Sequence, residues 1–158
     1  MESISLKGYY YSQTPPDGKL QLNDVITLLA SLTNLKKLKL DAWMLESFAQ
    51  LRDIICACRA LEELTLIDVD ATITPQAPSY KPRISLTPPP LRVLLINDVE
   101  FEGQLVAWLA SHPAAISSLT LSCGAFLHPN QSGKLLRRSG PSLTHLQIHC
   151  ASGGHGGA

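Results

Sequence analysis

The sequence predicts an α/β fold built as a repeat solenoid. About six short parallel strands form a curved sheet on its concave side, with helices and loops on its convex side. Three observations predict this. A hexad of the form L-x-x-L-x-L recurs along the chain, its clearest copies being Leu35-Lys-Lys-Leu-Lys-Leu40 and Leu61-Glu-Glu-Leu-Thr-Leu66. The hexads begin at residues 1, 35, 61, 91, 116 and 143, so successive periods are 34, 26, 30, 25 and 27 residues. The material between hexads repeats the same pattern, an apolar stripe at helical spacing. A unit of this kind cannot bury its apolar face alone and does so only by stacking on its neighbours.

Composition sets the outer bounds. The chain has 158 residues, 45% apolar and 16% charged, which fits one domain with a packed core. Its formal net charge is +0. That gives no global field to draw it to nucleic acid or to an anionic membrane. No apolar run approaches the roughly 18 residues of a membrane span. The first residues, Met-Glu-Ser-Ile-Ser-Leu, lack the basic and then apolar character of a secretory signal. Four cysteines are too few for a disulfide framework. These features lead us to expect an intracellular protein, cytoplasmic or nuclear.

The elements follow in order. The weak hexad Met1–Leu6 precedes a turn at Thr14-Pro-Pro-Asp-Gly18. A helix follows, capped by Asn23 or Asp24, with Val25, Leu28, Leu29 and Leu32 as its apolar face. After the second hexad, Trp43 to Arg59 predicts a longer helix with Leu45, Phe48, Leu51, Ile54 and Ile55 on one stripe. After the third, residues 72–90 hold Pro75, Pro78, Pro82 and Pro88-Pro-Pro90, which exclude a long helix and predict a Pro-rich loop. Glu102–Ser111 is the next helix, with Leu105, Trp108 and Leu109 inward, and Pro129–Arg138 the last, with Leu135 and Leu136 inward. The repeat domain is expected to span residues 1–151. The glycine-rich tail, 152–158, has nothing to bury and is expected to be disordered.

In each hexad the fourth and sixth residues should point into the core, and the third, fifth and seventh away from it. The outward residues then form three columns. The first is Ser3, Lys37, Glu63, Val93, Ser118 and His145. The second is Ser5, Lys39, Thr65, Leu95, Thr120 and Gln147; the third is Lys7, Asp41, Ile67, Asn97, Ser122 and His149. Ile67, Val93 and Leu95 make an apolar centre with polar residues on both sides, the layout of a protein-binding patch. The alternative is that these are ordinary exposed strand residues. The expected binding face comprises Lys37, Lys39, Glu63, Thr65, Ile67, Val93, Leu95, Asn97, His145 and His149.

These residues and spacings resemble the leucine-rich repeat family over nearly the whole chain. Phrases such as Leu32-Thr-Asn-Leu-Lys-Lys-Leu and Pro89-Pro-Leu-Arg-Val-Leu resemble the repeat region of fungal F-box/leucine-rich-repeat proteins. That resemblance implies a substrate-recruiting arm of a ubiquitin ligase receptor, in which an F-box docks on an adaptor and the repeats hold the substrate. No Leu-Pro-rich helical segment precedes the first hexad, so the expectation is an uncapped fragment of a longer receptor. The alternative is a structural or regulatory repeat protein without a ligase link. The exposed first and last strands add self-association through their edges as an expectation.

No arrangement predicts catalysis, a cofactor or a metal. The chain has no G-x-S-x-G, H-E-x-x-H or phosphate-loop motif. His145 and His149 are four residues apart, about 13 Å on a strand at roughly 3.3 Å per residue. That is too far to share one zinc with bonds of about 2 Å. Cys56-Ala-Cys58 predicts one buried thiol and one near a helix end. Cys123 and Cys150 each stand eighth in their hexad and should be neighbours. Lys134, Arg137 and Arg138, like Lys36, Lys37 and Lys39, are expected on solvated faces, since no aromatic interleaves them.

Overall fold

The structure, a computed structural model, describes residues 2–9, 21–71, 87–123 and 129–150. The expected turn at 14–18, most of the Pro-rich loop and the glycine-rich tail lie outside the described residues. The elements are β1 (Ser3–Tyr9), α1 (Leu22–Ser31), β2 (Lys37–Leu45), α2 (Phe48–Ala57), β3 (Glu63–Ala71), β4 (Val93–Val99), α3 (Glu102–Ala110), β5 (Ser118–Cys123), α4 (Pro129–Ser139) and β6 (His145–Cys150). The α/β expectation holds. All six strands are parallel and lie side by side in chain order, β1 to β6. The helices neighbour one another in the same order, α1 on α2, α2 on α3 and α3 on α4.

Register follows the hexads. Third residues align across the whole sheet, Ser3 with Lys37, Glu63, Val93, Ser118 and His145. One hydrogen-bond device sets each step. The carbonyl of the second hexad residue accepts two N–H groups from the next repeat. Glu2 O takes those of Lys36 and Lys37, both at 2.9 Å, and Lys36 O takes those of Glu62 and Glu63 at 2.8 and 2.9 Å. Glu62, Arg92 and Ser117 do the same for Arg92–Val93, Ser117–Ser118 and Thr144–His145. Identical bonding at five successive steps makes the hexads structurally equivalent units.

The core lies between the sheet and the helices. Leu38, Leu40, Leu64, Leu66, Leu94, Ile96, Leu119 and Leu121, the fourth and sixth residues of four hexads, are all buried. They meet Ile26 and Leu29 of α1, Leu51, Ile54 and Ile55 of α2, Leu105 and Leu109 of α3 and Leu135 of α4 in one cluster. Phe48 and Trp108 link α2 to α3 edge-on, with ring centroids 6.1 Å apart.

Three sequence expectations need correction. Trp43 and Leu45 are not helical; β2 runs on through both and they are 4% and 2% exposed. Trp43 Nε1 donates to Leu6 O at 3.1 Å, tying β2 to β1. The inner face of α1 is Val25, Ile26 and Leu29, while Leu28 is 48% exposed, because the helix is rotated by part of a turn from the expected stripe. Its N-cap is Gln21, not Asn23 or Asp24; Asp24 instead accepts the Gln21 N–H at 3.1 Å. That places a carboxylate in the first turn, where free N–H groups and the helix dipole favour it.

The strands are long because of a feature at the eighth hexad position. Gly8, Ala42, Asp68 and Asp98 all have positive φ, at 73°, 58°, 51° and 53°. Each is skipped in the pairing, so Asp41 and Trp43 pair with Ile67 and Val69, and these with Asn97 and Val99. A left-handed residue inserted in this way shifts the side-chain alternation by one. The ninth residues Trp43, Val69 and Val99 therefore turn inward and are buried.

Candidate functional site

The sheet face opposite the core carries the three predicted columns. Their residues lie in register on neighbouring strands, so Glu63 is beside Val93, Thr65 beside Leu95 and Ile67 beside Asn97. Lys37, Asn97, His145 and His149 are exposed, and Lys39, Glu63, Thr65, Ile67, Val93 and Leu95 are half-buried. The apolar residues therefore lie on the neighbouring strands β3 and β4, with Leu95 diagonal to Ile67 and Val93 two residues before Leu95 on β4. This apolar centre is accessible in part, with neighbouring strands about 4.8 Å apart.

The charged side of this face is largely neutralised internally. Lys37 Nζ lies 3.0 Å from Glu63 Oε1, its register partner on β3. Lys39 Nζ lies 3.5 Å from Asp41 Oδ2, two residues along β2. Lys36 and Glu62 form a further pair at 3.4 Å. The lysine run is thus matched by acidic residues rather than left as a cationic patch. The other basic cluster, Lys134, Arg137 and Arg138, lines a cleft of about 350 Å³ together with Ala110.

His145 and His149 both lie on β6, at the far end of the face from the lysines. Among the described residues no group of three or more His, Cys, Asp or Glu is placed to hold a metal ion. Cys58 is buried at the C-cap of α2, in the position that Leu32 holds after α1, and its backbone N–H closes the helix on Ile55 O. Burial pushes its thiol up to about 11. Cys56 is half-buried, and burial with the nearby Asp53 charge pushes it up to about 12. Both stay protonated at neutral pH and are poor nucleophiles. Cys123 and Cys150 are register partners on β5 and β6, as their hexad positions predict.

An acidic group was missed from the sequence. Asp68, Asp70, Asp98 and Glu100 gather where β3 and β4 end. Burial and the charges of Asp98, Glu100 and Asp68 raise the Asp70 carboxyl above its ordinary value. Glu100 is held there by the Ala71 N–H, which donates to its Oε2 at 2.7 Å. The available signal was an aspartate at the eighth position of two successive hexads, since Asp tolerates the left-handed region better than most residues.

Among the described residues no helix is long and apolar enough to cross a membrane. No family model matches this chain, and no curated protein or solved structure matches it.

Proposed function

We propose that the chain is a leucine-rich-repeat solenoid and a non-catalytic module that binds a protein on its concave sheet face. The observation that carries this reading is the half-buried apolar centre Ile67, Val93 and Leu95, flanked on one side by internally paired Lys37 and Glu63 and on the other by polar residues. An apolar centre within a polar surround excludes water where contact is tightest and leaves the rim to set orientation. The pairing of Lys37 with Glu63 weakens any purely electrostatic reading of the same face. If the chain is the substrate arm of an F-box-type ligase receptor, the protein held there is the substrate. An intracellular setting, cytoplasmic or nuclear, belongs to this proposal.

The test compares affinity capture by the parent, by the double variant Val93→Asp, Leu95→Asp, and by Leu28→Asp on the exposed side of α1. Circular dichroism first establishes that all three fold. The expected result is a partner retained by the parent and by Leu28→Asp but lost by the double variant. Capture of the same proteins by all three would refute the assignment to this face. A copurifying ligase adaptor would be required by the F-box reading and not by a structural or regulatory repeat protein.

A further inference from the structure

The last strand differs from the others in where its inner residues sit. Leu146 and Ile148 hold the hexad positions of Leu119 and Leu121, which are 0% and 1% exposed, yet they are 45% and 47% exposed themselves. Among the described residues β6 is also an edge of the sheet. Edge strands are commonly protected by charged side chains, proline or bulges. His145–Cys150 contains no Lys, Arg, Asp, Glu or Pro. The opposite edge, β1, includes Lys7 and follows Glu2.

The backbone direction of β6 is fixed by its first bond. His145 N–H donates to Ser117 O at 3.0 Å. Backbone groups alternate sides along a strand, so those of Gln147 and His149 also face β5, and those of Leu146 and Ile148 face outward. The side chains are arranged symmetrically about Gln147, in the order His145-Leu-Gln-Ile-His149.

From these observations we infer that β6 pairs antiparallel with β6 of a second copy of this chain, on a two-fold axis through Gln147. In this register Leu146 lies opposite the partner's Ile148. These are hydrogen-bonded pairs, because the outward backbone groups are those of residues 146 and 148. Directly opposed residues of an antiparallel pair project to the same face, so the apolar pairs share the helix side of the joined sheets. Gln147 meets its symmetry mate, and His145 meets the partner's His149, on the open side. Moving the axis to Leu146 would set Ile148 against the partner's Thr144, and moving it to Ile148 would set Leu146 against the partner's Cys150. Only the axis at Gln147 matches both apolar residues with each other. The interface is isologous and closes at two copies. It uses the sheet edge and does not depend on the reading of the open face.

A non-hydrogen-bonded antiparallel pair has Cα atoms about 4.5 Å apart, within the roughly 4.4–6.8 Å that a disulfide spans. The test therefore places Gln147→Cys in a Cys150→Ser background, with Thr144→Cys in the same background and Cys150→Ser alone as controls. Sedimentation equilibrium of the unaltered chain is expected to show a reversible doubling of mass with concentration. Mild oxidation is expected to trap Gln147→Cys as one reducible dimer, with neither control trapped. Leu146→Lys with Ile148→Lys is expected to abolish the doubling while leaving the circular dichroism spectrum unchanged. Monomer at every concentration would overturn the inference. So would crosslinking of Thr144→Cys in preference to Gln147→Cys, or a ladder of higher oligomers, which would indicate head-to-tail pairing of β6 with β1.

Discussion

Replacing Ala42 by glycine is expected to stabilise the protein. Ala42 sits at φ 58°, in the left-handed region, while Gly8 fills the equivalent position one strand earlier at φ 73°. A side chain in this region costs about 1–2 kcal/mol through contact of Cβ with the carbonyl oxygen. Glycine recovers that cost but adds about 0.5–1 kcal/mol of unfolded-chain entropy. The net gain is about 0.5–1 kcal/mol, and at roughly 2–4 °C per kcal/mol for a chain of this size the midpoint should rise by about 1–4 °C. The reverse exchange supplies the control. A Cβ added to Gly8 meets nothing within 4 Å, so Gly8→Ala has room and should lose stability through backbone strain alone, by a similar amount. Thermal and urea denaturation followed by circular dichroism read both. A lower midpoint for Ala42→Gly, or a higher one for Gly8→Ala, would refute the assignment of the eighth position as a strained left-handed column.

Leu66 is 0% exposed, so Leu66→Ala should cost about 2–5 kcal/mol in urea denaturation. Leu146→Ala removes the same atoms from a site already 45% exposed and, in dilute solution, should cost less than about 1 kcal/mol. Lys37 and Glu63 keep 54% and 40% of their side-chain surface in solvent, so a double-mutant cycle on this pair should give no more than about 1 kcal/mol, falling with added salt. Cys56 and Cys58 should resist Ellman's reagent at pH 8 in the folded chain and react at the ordinary rate in urea. Their thiols are raised to about 12 and about 11, against about 8.5 unfolded. Between those values the unfolded chain releases protons that the folded chain holds, so this contribution to stability is intact below about pH 8.5 and is lost as pH rises through the folded values.

Register was legible in the sequence, and strand length was not. Leucines at the fourth and sixth hexad positions fix which residues face inward, and a slip of one residue would expose them all. The three outward columns follow from that alone. Beyond the seventh residue the alternation breaks, because the left-handed residue at position eight shifts it by one. Leu45 then falls three residues before Phe48 and six before Leu51, which imitates the spacing of a helix. Nothing in the identity of Ala42 marks the break; Gly8, Asp68 and Asp98 mark it better. The α1 face was misread for a different reason. Ile26, Leu28 and Leu29 are all apolar, and only packing against the neighbouring helix decides which of them is buried. Burial on the open face was not legible either. A half-buried Val93 and an exposed Lys37 share one column, and side-chain size together with the neighbouring strands sets the difference.

Burial at equivalent positions depends on having a neighbour on each side. Inner residues of β2 to β5 are almost wholly buried, those of β1 are half-buried, and Leu146 and Ile148 of β6 are nearly half exposed. The side chains are alike, so the difference is one of company rather than of composition. Inner strands share one core cluster with the helices and have a paired strand on each side, so their apolar residues are covered from several directions. Hydrogen bonding tells the same story, since each step from one repeat to the next rests on a pair of N–H groups converging on one carbonyl. A unit with only one neighbour lacks half of this support. The edge at β6 combines that deficit with an uncharged, symmetric strand, and covering Leu146 and Ile148 recovers what the other strands gain from within the chain.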